Sequence, residues 1–122
     1  EIDPVTNRLG KGAKPTKVVY VDGALFFGSQ GKLTEAIAPL VESGVKRILL
    51  SLRGVPSIDH SSITELAEIV RLARKQEVEL LFCGVQPRVE SMLRRLDFHS
   101  LLPEESFYPS VVVALEAIAS GG

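Results

Sequence analysis

The stretch VKRILLSLRG, residues 45–54, is apolar at Val45, Ile48, Leu49, Leu50 and Leu52. Three aliphatic side chains in a row break the alternation of a strand with one wet face. A short run of this kind reads as a strand buried on both faces, as in a parallel sheet covered by helices. VELLFCGV, residues 78–85, has the same character. Between the two, Ile63, Leu66, Ala67, Val70 and Ala73 recur at helical spacing. Strand, helix and strand in that order predict parallel pairing across a helical crossover.

Working outward extends the pattern. Upstream, Leu33, Ala36, Ile37, Leu40 and Val41 form the apolar stripe of an amphipathic helix. Gly44 is suited to stop it, and Pro39 inside it predicts a kink. Before that helix, KVVYVDG (17–23) and ALFFGS (24–29) read as two strands meeting at Asp22-Gly23, a dipeptide favoured in tight turns. Downstream, Pro87 suits the first turn of a helix with Val89, Met92, Leu93 and Leu96 on its apolar face. An edge strand is expected near Phe107. Ser110 is placed to cap a last helix with Val111, Ala114, Leu115 and Ile118 facing inward. The order is β-β-α-β-α-β-α-(β)-α, which predicts an α/β fold with a mostly parallel central sheet and about four helices. Residues 1–16 carry two glycines and two prolines and no periodicity, so a flexible linker is expected there. Residues 17–120 then form one domain.

Composition narrows the function classes. In 122 residues, 45% are hydrophobic and 24% charged, and the formal net charge is −1. No basic excess points to a nucleic-acid partner. The single cysteine, Cys83, sits in an apolar run and reads as a small buried hydrophobe. No apolar run approaches the roughly 20 residues needed to span a bilayer. The chain opens on Glu1 and ends in Gly121-Gly122, which reads as a fragment of a larger parent.

The strand-to-helix loop SIDHSSITEL, residues 57–66, concentrates the polar chemistry. Asp59, His60, Ser61 and Ser62 are consecutive, so they are poorly placed to act on one another as nucleophile and base. The G-x-S-x-G of a serine-hydrolase elbow is absent. With two histidines, His60 and His99, and one cysteine, no metal-ligand spacing occurs, and no cofactor motif is present. The reading is therefore non-enzymatic. Ser62-Ile63-Thr64-Glu65 matches a capping box, with Ser62 as the cap and Glu65 reaching back to it. Asp59 precedes the helix N-terminus, where negative charge is favoured. His60 reads as a solvated loop residue, with proton sensing as the alternative. GSQGKL, residues 28–33, fails the phosphate-loop pattern at Phe26 and Leu33. Bare amides near Ser29, Gln30, Gly31 and Lys32 keep a weaker reading as a small-anion or nucleotide contact. Arg71, Arg74 and Lys75 are cations at a helix C-terminus, a favourable place for them.

From about Lys17 to Ile118 the chain resembles a STAS domain, the module shared by sulfate transporters and anti-sigma factor antagonists. Four stretches carry the resemblance: DGALFFGS, GVKRILLSLRGVPSID, IDHSSITEL and FYPSVVVALEAI. Gly23-Ala24-Leu25-Phe26-Phe27 is most similar to the C-terminal cytoplasmic domain of SulP-type anion transporters. The antagonists carry a phosphorylatable Ser or Thr directly after the loop aspartate. Here that aspartate is Asp59 and the next residue is His60, with Ser61 one place further and Ser62 where a glycine is usual. The resemblance implies a regulatory and dimerisation module without catalysis, on the cytoplasmic face of a membrane. Its implied partners are the membrane domain of the same polypeptide, which moves sulfate or bicarbonate, and a second copy of the chain. The alternatives are a free-standing partner-switching regulator using the 59–62 loop, and a sensor of a small anion or nucleotide.

Overall fold

The structure is a computed structural model that describes residues 2–4, 16–22 and 31–121. Among the described residues the strands are β1 (Ile2–Pro4), β2 (Thr16–Asp22), β3 (Arg47–Gly54), β4 (Glu79–Cys83) and β5 (Phe107–Tyr108). The helices are α1 (Lys32–Val41), α2 (His60–Lys75), α3 (Pro87–Arg95) and α4 (Val111–Gly121). The strands lie side by side in chain order. β2 through β5 pair in parallel, with Val18 opposite Leu49 and Leu49 opposite Leu81. The expected α/β architecture, with a mostly parallel sheet and four helices, is what forms.

The start of the chain departs from expectation. Residues 2–4, expected within a linker, form β1, antiparallel to β2 with Ile2 opposite Val19 and Pro4 opposite Lys17. The parallel set would otherwise end at β2 with a bare row of backbone groups, and a short outer strand satisfies them. Proline is tolerated there because an outermost strand has no neighbour to donate to on one side. Thr16 opens β2. Residues 5–15 lie outside the described residues. So does the strand expected at 24–29, and so does its turn beyond Asp22.

The sheet sorts its side chains by parity. Val19, Ile48, Leu50, Leu80 and Phe82 face one core, which we call the front. Leu33 and Ile37 of α1, Leu66 and Val70 of α2, and Val89 and Leu93 of α3 close over it. The alternate residues Val18, Leu49, Leu81 and Cys83 face the back, where Ala114 and Ile118 of α4 cover them. This is why β3 is apolar at consecutive positions: Leu49 and Leu50 are both fully buried, on opposite faces. Each such side chain contributes about 1.5–3 kcal/mol relative to exposure. Val111 and Leu115 pack at the edge of the back cluster, so the inward stripe read from the last helix is confirmed.

Two glycines flank α1, which ends at Val41 with Glu42 as its C-cap. The helix starts after Gly31, whose φ of 84° lies in the left-handed region that glycine adopts at least cost, and it runs through Pro39 to Val41. Gly44, with φ of 95°, turns the chain after α1 toward β3. Across the foot of the sheet, Arg47 Nε donates to Glu79 Oε1 at 2.7 Å, between residues directly opposite in register.

Candidate functional site

The loop from β3 to α2 is built from the sheet outward. Val55 is fully buried, and its amide closes a turn onto Leu52 O at 3.0 Å. Ile58 packs against the front core. Asp59 follows in extended conformation, φ −113° and ψ −176°, and is the N-cap of α2. Its Oδ1 accepts the Ser62 amide at 2.9 Å and the Ser62 hydroxyl at 2.8 Å. These two hydrogen bonds, the amide first, hold the Asp59 carboxyl below its ordinary value.

The cap is therefore Asp59, which corrects the expectation that Ser62 caps the helix with Glu65 reaching back. The helix itself begins at His60, directly after the aspartate. A carboxylate is a strong cap acceptor and its charge suits the positive end of the helix, so it wins over a hydroxyl three residues later. Ser62 becomes a buried donor to the cap, 5% exposed. Glu65 then lies a full turn inside the helix and points elsewhere.

It points to α1. Glu65 Oε2 accepts the Thr34 amide at 2.8 Å and the Thr34 hydroxyl at 2.9 Å. Gly31 has no side chain with which to cap α1, and α2 supplies the missing acceptor across the helix pair. Glu65 is only 8% exposed, so this is a shielded contact. Sequence reasoning missed this link. The available signal was the glycine at the start of α1, which leaves amides in want of an acceptor.

The two helix N-termini meet, and with them parts of both residue sets that the sequence singles out. Gly31, His60 and Ser61 line one cleft of about 230 Å³, together with Thr34, Thr64, Glu65 and Glu68. Lys32 is exposed beside it in sequence. Ser29 and Gln30 lie outside the described residues. His60 is exposed, and its carbonyl accepts the Thr64 hydroxyl at 3.1 Å. Ser61 is exposed at the second position of α2. Thus of the two serines Ser61 is open to a partner and Ser62 is enclosed. Among the described residues, the cleft lining carries two glutamates and no lysine or arginine. Among them too, no three His, Cys, Asp or Glu side chains stand close enough to hold a metal ion. No helix formed by the described residues is long and apolar enough to cross a membrane.

Comparison with known proteins gives consistent relatives. The family model of the STAS domain matches residues 10–114. The "Putative sulfate transporter YvdB" of Bacillus subtilis (strain 168) is 24% identical over 101 residues, which are 82% of this chain and 19% of that protein. The chain thus spans about a fifth of the transporter it matches. The crystal structure of a sulfate transporter family protein from Wolinella succinogenes superposes with a TM-score of 0.76 at 27% identity, covering 88% of each chain. A chain of the stressosome, a signal integration and transduction hub, superposes with a TM-score of 0.71 at 18% identity, covering 86% of this chain and 90% of that one. At that identity the likeness is one of fold.

Proposed function

The chain belongs to the STAS domain family, and from that premise we propose that it is the cytoplasmic regulatory and dimerisation domain of a SulP-type anion transporter of the sulfate or bicarbonate class. The observation that carries the reading is the 27% identity, over 88% of both chains, with a sulfate transporter family protein. The match to a fifth of a second sulfate transporter supports it. The domain does no chemistry of its own in this reading. It is a rigid α/β body that holds two protomers together and passes small displacements to the membrane domain.

The test uses the complete coding sequence in cells. Removal of residues 17–120 should abolish or strongly reduce uptake of labelled sulfate or bicarbonate, and the isolated domain should dimerise in sedimentation at high concentration. Undiminished uptake together with a monomeric domain would sink the proposal.

A second reading is favoured by one observation: Ser61 stands exposed at the N-terminus of α2, where an added phosphate would meet the positive end of the helix dipole. In that reading the chain is a partner-switching regulator, and Ser61 takes the role of the switch residue displaced by His60. Mass spectrometry of the chain from native cells should then find phosphate on Ser61. Absence of phosphate there under all growth conditions would remove this reading.

A further inference from the structure

β2 and β3 end opposite each other, Asp22 beside Gly54, while β4 ends at Cys83 opposite Ser51, and behind these ends α4 covers the back of the sheet only in part. There the first turn of α4, the strand ends and the segment Gly84–Gln86 border a half-open cavity of about 1070 Å³. This is just above the usual range for small-molecule sites, about 300–1,000 Å³. It also lies where open α/β sheets bind ligands, outside the carboxyl ends of the strands.

Among the described side chains the lining has one sign of charge and one apolar wall. Among the residues whose side chains are described, Arg53 is the one formal charge in the lining. The Arg53 guanidinium is exposed and is in none of the ion pairs found among the described residues. Its backbone, by contrast, is fixed. Gln86 Nε2 donates to Arg53 O at 2.6 Å, and a Cβ added at Gly84 would come within 3.2 Å of Arg53 Cβ. The cation is thus carried on a rigid base with its head free. On the apolar side, Tyr20 is 39% exposed and Val112 63%. Among the described residues these are two of three exposed large hydrophobics, and both line this cavity. Concentrated exposed apolar surface marks a binding surface rather than chance exposure.

The front cleft gives the contrast. There the α1 N-terminus is already occupied by the Glu65 carboxylate, and Glu68 adds a second negative charge. The two hollows at the strand ends differ in sign, and an anion is favoured at the back one.

We propose that the back cavity binds a small organic anion whose phosphate or carboxylate pairs with Arg53 and whose flat or aliphatic body lies on Tyr20 and Val112. The inference stands independently of the transporter reading, because it rests on this chain's own side chains.

The test is a titration of the isotope-labelled chain with phenyl phosphate, followed by amide chemical shifts. Gly54, Gly84, Val111 and Val112 should move along one saturable curve, and benzoate should move the same set. Arg53→Gln should weaken binding by about tenfold or more, the scale of a lost charge-assisted hydrogen bond. Val112→Ser should weaken it severalfold. Arg88→Gln, an exposed cation of α3 outside the cavity lining, should leave it unchanged. Dispersed spectra of each variant confirm that it folds. The proposal is overturned if Arg53→Gln binds as the parent chain does, or if the shifts spread over Arg71, Lys75 and Arg95 instead. It is overturned equally if inorganic phosphate binds as tightly as phenyl phosphate, since the apolar wall would then have no part.

Discussion

The Glu65 carboxylate on α2 receives both the amide and the hydroxyl of Thr34 on α1, at 2.8 and 2.9 Å. One side chain thereby caps a neighbouring helix and ties the first turns of the two helices together. Glu65→Ala should cost about 1–3 kcal/mol, because a shielded amide and hydroxyl lose their acceptor. Glu65→Gln keeps an acceptor and should cost less. Urea denaturation of the two variants measures the difference, and amide exchange at Thr34 should accelerate more in the alanine variant.

Asp59 makes acid stability depend on the strand-to-helix loop. Its folded pKa lies below the ordinary 3.8, held down first by the Ser62 amide and then by the Ser62 hydroxyl. Between the two values the unfolded chain binds a proton that the folded chain does not, so stability rises with pH in that window. The contribution is fully present above the ordinary value and is lost as pH falls through the depressed one. Asp59→Asn should flatten this part of the stability profile on the acid side of about pH 5. Glu104, lowered by its contact with Arg94, gives a slope of the same sign. Thermal melts of Asp59→Asn, Glu104→Gln and the double variant across that range separate the two.

Cys83 should be chemically quiet. Burial pushes its thiol up to about 11, against the opposing effect of a Ser51 hydrogen bond. The thiolate is the reactive species, so native Cys83 should react with a disulfide reagent near neutral pH at least about a hundredfold more slowly than the urea-unfolded chain. Equal rates would show that the back of the sheet opens readily around β4.

Phe82 anchors the front core. It is fully buried, stacked on Phe98 with centroids 5.8 Å apart and edge-on to Phe107 at 5.3 Å. Phe82→Ala should cost about 3–5 kcal/mol. Phe82→Leu should cost less, and both are measurable from denaturation midpoints at unchanged m-value.

The parts legible in the sequence were those encoded by periodicity. The consecutive burial of Leu49 and Leu50 announced a strand covered on both faces, and the 3.6-residue stripes of α1, α2 and α4 announced the cover. The loop was legible as a helix start but not in its partners. Ser62 and Glu65 satisfy a local capping pattern, yet Asp59 is the cap and Glu65 serves another helix. Local pattern gives the candidates for a hydrogen bond, and tertiary placement chooses among them. β1 was invisible because three residues with a proline carry no period; only the neighbouring edge makes them a strand. The back cavity was beyond reach for a related reason. Tyr20, Arg53, Gln86 and Val112 are far apart in the chain and meet only where the parallel pairing brings the carboxyl ends of the strands and the start of α4 together.

The unequal covering of the sheet has a consequence for biosynthesis. Three helices close the front as the chain grows, each laid down beside the strands it covers. The back waits for α4, whose Ala114 and Ile118 emerge after every strand has been made. A nascent chain stalled before Val111 would therefore present Val18, Leu49 and Leu81 as a bare apolar stripe. Emergence of the eleven residues of α4 is the step that covers that stripe.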